Sequence, residues 1–195
     1  MKCVECGEEL GLGGRRGRTP KYCSSACRQH AYRRRKRESA IPSRMTDLNR
    51  WVRADGKRPI QPAGFAASTT EPATWTSFDN VQNGKGDGFG VMLGEGLVCI
   101  DLDDALDENG KQTATAQAVL DATAGAWTEI SMSGTGLHIF GAGFECGGRR
   151  LTAPDGTGVE LYSRERFIRM TGKTFRPGTL PVIDFDDITK TVRRQ

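Results

Sequence analysis

No stretch of this 195-residue sequence is long and apolar enough to cross a bilayer as a helix. A span needs about 18 such residues, so no membrane partner is expected. The opening MKCVECGEEL has no apolar signal-peptide core, so export by the usual route is not expected either. Aromatic residues are scarce at 7% and hydrophobic ones reach only 36%, which leaves a lean core. The length excludes two full domains with separate cores, and one domain with a small appendage fits it. No internal repeat is visible. No glycine-rich loop ends in the G-K-[ST] of a Walker A motif. Histidine occurs twice, as His30 and His138, so a single imidazole serves everything beyond the N-terminal segment.

Glycine, by contrast, is abundant: 25 residues, nearly double the usual share of about 7%, which points to many turns and close backbone approaches. Charge is abundant and unevenly placed. The formal net charge is +4, but residues 1–37 hold 11 Lys/Arg against 3 Asp/Glu, and residues 38–195 hold 17 against 21. A basic head of +8 precedes a body of −4, the pattern of a head that meets a polyanion.

Four of the six cysteines lie in that head, as Cys3, Cys6, Cys23 and Cys27, spaced C-x2-C-x16-C-x3-C. A C-x2-C turn places two thiolates on one side, and the i, i+4 pair places two more on one face of a helix start. Zn²⁺ requires that tetrahedral set. Gly7 suits the tight turn of a zinc knuckle. The alternatives are a redox pair or unrelated thiols; His30 could substitute as a ligand, but with four cysteines present it reads as a surface residue. The helix then continues through Arg28, Tyr32, Arg33, Arg34, Arg35, Lys36 and Arg37, a cationic rod with one aromatic, suited to nucleic-acid phosphates. A solvated basic tail or a localisation signal is the alternative. The segment Tyr22–Arg35, YCSSACRQHAYRRR, resembles small treble-clef zinc fingers.

Residues 38–49 read as a linker and residues 50–195 as the body. A short helix is predicted over Pro72–Val81 with Thr70 as its N-cap, and another over Thr113–Ala124. Strands are predicted at Gly88–Gly94, Leu97–Asp103, Glu129–Met132, Gly136–Phe140, Val159–Tyr162 and Arg166–Thr171. One or two helices on a largely antiparallel sheet make an α+β fold. Cys99 and Cys146 read as packing residues, and Asp184–Asp187 as a solvated turn.

Three constellations in the body carry chemistry. In Leu97–Asp103, strand alternation turns Ile100 and Leu102 to one face and Asp101 and Asp103 to the other, with Cα atoms about 6.6 Å apart. Paired carboxylates repel unless a cation or a shared proton compensates them, and hard oxygens suit Mg²⁺ or Mn²⁺. An acidic surface turn is the alternative. In Ser131-Met-Ser133-Gly134-Thr135-Gly136-Leu137-His138, a glycine turn with Ser and Thr hydroxyls is suited to approach an anion and feeds directly into His138. In Val159-Glu160-Leu161-Tyr162, Glu160 alternates with core residues and supplies a third carboxylate, which a two-metal site needs. Arg149, Arg150, Arg164, Arg166 and Lys57 are candidates for holding triphosphate or template phosphates.

In this order, D-x-D, S-x-S-G-x-G-x-H and V-E-L-Y-S…R-F-x-x-x-T-G resemble the phage and plasmid bifunctional primase–polymerases of the archaeo-eukaryotic primase superfamily. The flanking Gly56-Lys57-Arg58-Pro59, Pro72-Ala-Thr-Trp75 and Gly88-Phe-Gly-Val91 agree, and the resemblance runs from about Trp51 to Gly172. It implies an RRM-like catalytic core performing template-directed nucleotidyl transfer in phage or mobile-element DNA replication. On it, Asp101, Asp103 and Glu160 bind Mg²⁺ or Mn²⁺. Ser131, Ser133, Gly134, Gly136 and His138 meet the nucleotide phosphates, aided by Lys57, Arg149, Arg150 and Arg166. The zinc head grips a single-stranded DNA template or presents the initiating nucleotide. Nucleoside triphosphates are the substrates, and a separately encoded replicative helicase is expected, since the chain ends at Gln195 without one. The location implied is the cytoplasm, that of a bacterial host if the chain is phage-encoded. Arg169 departs from the pattern, which has a smaller residue there. The competing reading is a zinc-dependent DNA-binding accessory protein with an inactive primase-like body. A metal-dependent nuclease ranks third.

Overall fold

The computed structural model describes residues 1–10, 20–38 and 40–195, for 34–38 the backbone alone. The chain divides into two units, Met1–Ala40 and Ile41–Gln195.

In the first unit, the Cys3 N–H donates to Glu8 O at 2.7 Å and the Gly7 N–H to Cys3 O at 3.0 Å. This closes a knuckle that needs Gly7 at φ +77°. Helix α1 (Ser25–Glu38) follows, and the Ser24 hydroxyl caps its first turn by accepting from the Cys27 N–H at 3.1 Å.

The second unit begins earlier than the sequence predicts. Residues 41–49 were expected as linker, yet they contain α2 (Ser43–Thr46), whose Met45 is fully buried. The Met45 carbonyl accepts from Trp51 Nε1 at 3.0 Å, and Ile41 and Leu48 pack beside it. Spread over a polar stretch, these apolar side chains carry no period, but they complete a core.

Two antiparallel sheets build the rest. The four-stranded sheet runs β2 (Arg58–Ile60), β1 (Trp51–Asp55), β3 (Gly88–Met92), β9 (Phe167–Met170). The six-stranded sheet runs β10 (Thr174–Arg176), β5 (Thr128–Ile130), β6 (Leu137–Ala142), β4 (Leu97–Asp103), β8 (Gly158–Tyr162), β7 (Arg149–Thr152). The period of two in β4, β6 and β8 divides the residues between two cores. Val98, Ile100 and Leu102 join Leu137, Ile139, Val159 and Leu161 under helices α3 (Ala114–Ala122) and α4 (Phe185–Arg193). On the opposite face, Cys99, Phe140, Tyr162 and Trp127 pack with Val91, Ile168 and Met170 of the four-stranded sheet.

Two further expectations change. Residues 72–81 form 3₁₀ turns at Pro72–Thr74 and Asp79–Val81 rather than one helix, and Glu71, not Thr70, precedes the first. The Thr74 hydroxyl accepts from the Ser68 N–H and donates to Glu71 O. Thr76 pairs with Trp51 as an extended bridge, so local side-chain bonds outcompete the helix. Asp184–Asp187, read as a turn, starts α4. Asp184 caps it by accepting from the Asp186 N–H at 2.7 Å, and Phe185 and Ile188 are buried.

Candidate active site

The face shared by Cys99, Phe140, Tyr162 and Trp127 continues two residues further along each strand, and there it turns from apolar to ionisable. Asp101 of β4 is the register partner of Glu160 on β8 and of His138 on β6. His138 is the partner of Glu129 on β5, and Glu160 of Arg150 on β7. One row across five strands therefore reads Glu129, His138, Asp101, Glu160, Arg150. Asp103 stands two residues beyond Asp101 on the same side. The strand period that fills the core also aligns this row.

Its contacts follow the register. His138 Nδ1 lies 2.9 Å from Glu129 Oε1, and His138 Nε2 lies 3.5 Å from Asp101 Oδ1. Burial disfavours the imidazolium. The hydrogen bond to Glu129 and the charges of Asp101, Glu129 and Asp103 outweigh burial, and His138 is held above its ordinary pKa. Burial also raises Asp101; His138 pulls it down, while Asp103 and Glu160 push it up, and the net shift is upward. Such a carboxylate gains from a cation.

Glu160 is already surrounded by cations. Arg150 Nε reaches its Oε1 at 2.9 Å, Arg166 Nη2 its Oε2 at 3.7 Å, and the Tyr162 hydroxyl donates to Oε2. Arg166 also stacks over the Tyr162 ring, 4.3 Å from the centroid. Asp103 is exposed between glycines. Gly158 is its register partner, and Gly136 follows the Leu102–Leu137 pair on the other side.

The glycine loop lies beside Asp103 but differs from expectation. Its Thr135 and Gly136 N–H groups donate to the Ser133 hydroxyl at 3.3 and 3.2 Å. The Ser131 and Ser133 hydroxyls lie 3.0 Å apart. The loop thus presents hydroxyls, while the amides of Ser131, Gly134, Thr135 and Gly136 are satisfied within it and Gly134 makes the turn at φ +84°. Arg149 is a correction. It pairs with Leu161 in register, on the helix-covered face, and bonds Asp186 of α4 at 2.6 Å and Thr189 at 3.2 Å. Odd and even positions of β7 face opposite sides, so only Arg150 reaches the row. Lys57 is exposed in the β1–β2 turn of the other sheet. Arg169, also unexpected, clamps that turn through Gly56 O and Asp87, the latter at 2.8 Å. Sequence reading missed Glu129, which lies in a three-residue strand and gains meaning only from its register with His138.

The carboxylates fit a hard divalent cation in donor type and in sharing one face. Among the described residues, the N-terminal cysteines form the one group of three or more metal-type side chains with ligand atoms all within 4.8 Å of one another. The carboxylates are more widely set, and Glu160 ligates only by leaving its arginines. The cysteine cluster fits zinc more closely. Cys6 and Cys27 each lie 3.5 Å from the Cys23 sulfur, near the ~3.8 Å edge of a tetrahedron with Zn–S bonds of about 2.3 Å. A backbone contact from Glu8 favours the Cys6 thiolate, yet the sulfurs of Cys23 and Cys3 push it up to about 12. These thiols cannot all ionise without a cation. His30 pairs with Glu5 instead of joining them. Arg28, Tyr32 and Arg33 are exposed on α1, and the expectations for Arg34, Arg35, Lys36 and Arg37 lie outside the described side chains.

Residues 31–179 match the family described as bifunctional DNA primase/polymerase, N-terminal. A DNA primase-polymerase of Nitratiruptor phage NrS-1 is 34% identical over 130 residues, 62% of this chain and 18% of the phage protein. The chain therefore spans less than a fifth of that relative's length.

Proposed function

We propose that this chain, which belongs to the bifunctional DNA primase/polymerase family, catalyses template-directed nucleotidyl transfer at the Glu129–Arg150 row, with its basic head holding a single-stranded DNA template. The observation that carries this reading is the alignment of Asp101, Glu160 and His138 as direct cross-strand partners, with Asp103 beside them. Asp101 and Asp103, joined by Glu160, would hold Mg²⁺ or Mn²⁺, which supplies charge neutralisation at the reacting phosphates and lowers the pKa of the attacking 3′-hydroxyl.

The chain's own residues do the rest. Protonated, His138 would donate from Nε2–H to a phosphate oxygen of the incoming nucleotide. Arg150 and Arg166, now on Glu160, are guanidinium forks suited to the same phosphates. The Ser131 and Ser133 hydroxyls line the rim. In the head, Cys3, Cys6, Cys23 and Cys27 would hold zinc and fix the start of the basic helix. The phage relative supports a place in phage or mobile-element replication, and a helicase that opens duplex DNA is the partner a single-stranded template requires. No described helix is long and apolar enough to cross a membrane.

Incorporation of nucleotides on primed and unprimed single-stranded templates with Mg²⁺ or Mn²⁺ tests this. The wild type is expected to extend, and Asp101→Ala/Asp103→Ala to lose at least about 10³-fold in kcat, the scale of lost electrostatic stabilisation of the transition state. Undiminished extension by the double variant sinks the site. A wild type that binds DNA but never extends establishes the accessory DNA-binding protein instead.

A further inference from the structure

Glu129 is fully buried, and no other Asp or Glu among the described residues is. A carboxylate in such a place is costly unless every lone pair is used. Here both oxygens are used, for different purposes. Oε2 accepts from the Gly172 N–H at 2.8 Å and the Thr171 N–H at 3.1 Å, in the turn between β9 and β10. Gly172 has φ +69°, a left-handed conformation open to glycine, at the point where the two successive amides converge on one oxygen. The Thr171 hydroxyl donates to Ile130 O at 2.6 Å and ties the turn back to β5. Oε1 faces His138 Nδ1 at 2.9 Å, with only a longer second contact from the Thr171 N–H at 3.3 Å.

We propose that Glu129 is a positioning residue: it fixes the orientation and tautomer of His138, holding Nε2 toward Asp101 and the incoming phosphates, and anchors that ring to the Thr171–Gly172 turn. The functional half rests on the nucleotidyl-transfer reading above; the tautomer half does not. The turn alone needs one acceptor, which a glutamine would provide without burying charge. The second acceptor of a carboxylate is what Nδ1 requires. Since the other close partners of Glu129 are donors, its oxygens accept, and the proton between Glu129 and His138 sits on Nδ1. Phe140 lies edge-on beside the ring, centroids 6.3 Å apart at 83°, and limits rotation. Nε2 is then the nitrogen that faces the site.

Glu129→Gln keeps the shape and reverses this arrangement. The two backbone amides claim the remaining carbonyl oxygen, so the side-chain NH₂ faces Nδ1, which must become an acceptor or turn away. The chain has two histidines, so a His30→Gln background leaves one imidazole to observe by ¹⁵N NMR of the full-length protein, without nucleotide and at alkaline pH where the ring is neutral. The expected result is a protonated Nδ1 in the Glu129 protein and a changed ring pattern in Glu129→Gln, with nucleotide KM raised about tenfold and kcat less affected. A wild-type ring protonated at Nε2 overturns the proposal, and this spectrum decides even if the variant does not fold. An unchanged ring pattern in a folded variant overturns it as well. If the ring pattern changes while KM does not, the functional half falls. If the wild type incorporates no nucleotide, nucleotidyl transfer fails while the NMR still decides the role of Glu129.

Discussion

Around Asp103, space is kept open by the absence of two side chains. A Cβ at Gly136 would meet Ser131 Oγ at 2.5 Å and the Leu102 carbonyl oxygen at 2.8 Å. The hydroxyl can rotate away; the strand carbonyl cannot. A Cβ at Gly158 would instead meet Asp103 alone, its Cβ at 3.1 Å and its Oδ2 at 3.6 Å; that Cβ must give by a few tenths of an ångström and carries the carboxylate with it. The two substitutions should therefore differ in kind. Gly136→Ala is expected to destabilise by about 1–3 kcal/mol, as overpacking does. Gly158→Ala should cost little stability but reduce incorporation at least about tenfold, because it displaces a metal-ligand candidate. Thermal unfolding and nucleotide incorporation on both variants check this; equal stability losses with unchanged activity in Gly158→Ala would refute it.

At the scale of elements, helix α3 is held by an acid from elsewhere in the chain. Thr113 caps it by accepting from the Ala116 N–H at 3.1 Å, and Asp155, in the β7–β8 turn, accepts from the Thr115 N–H at 2.9 Å and the Thr157 N–H at 3.0 Å. Burial opposes the charge, but these amides outweigh it and hold Asp155 at about 2, below its model-peptide value of 3.8. A depressed folded pKa stabilises above the unfolded value and loses that contribution as pH falls through the folded one. The contribution is thus complete above about pH 4 and gone near pH 2. Asp155→Asn is expected to lower Tm by about 1–4 °C at pH 6, the scale of a charge at a helix N-terminus. The gap to wild type should close as pH falls from 4 to 2; a gap independent of pH would show the charge to be idle.

Elements with a strong period were legible before any coordinates. Leu97–Asp103 is β4 residue for residue, and the helix expected over Thr113–Ala124 is α3, with Thr113 its cap rather than its first residue. The edge strands β7 and β10 are short and only partly buried, so no alternation marks them. The D-x-D, the histidine and Glu160 were each visible as residue types, because alternation alone turns them from the core. Glu129 and the exclusion of Arg149 were not, since both depend on which residues face each other across strands, and register is set by packing over the whole sheet. Met45 likewise carries no local signal, because its burial comes from a tryptophan six residues away.

For the molecule as a whole, charge and metal chemistry are segregated. The cysteine cluster and the run Arg28–Arg37 fall in Met1–Ala40, while the carboxylate row and all three tryptophans, Trp51, Trp75 and Trp127, fall in Ile41–Gln195. A unit of 40 residues has too little apolar surface to fold unaided, so its stability should come from the metal. One zinc per chain is expected by mass spectrometry. Its removal by chelation should unfold the knuckle, release the first turn of α1 and weaken single-stranded DNA binding. With six cations from Arg28 and Arg33–Arg37 on phosphates, the slope of log K against log salt should be about −4, and it should flatten once zinc is gone. Tryptophan emission reports on the body separately and verifies that the chelator has left it folded. Restoring zinc should restore both affinity and slope. Binding whose strength and salt dependence survive complete zinc removal would mean that the basic run acts as a plain charged tail and that the cysteines serve another purpose.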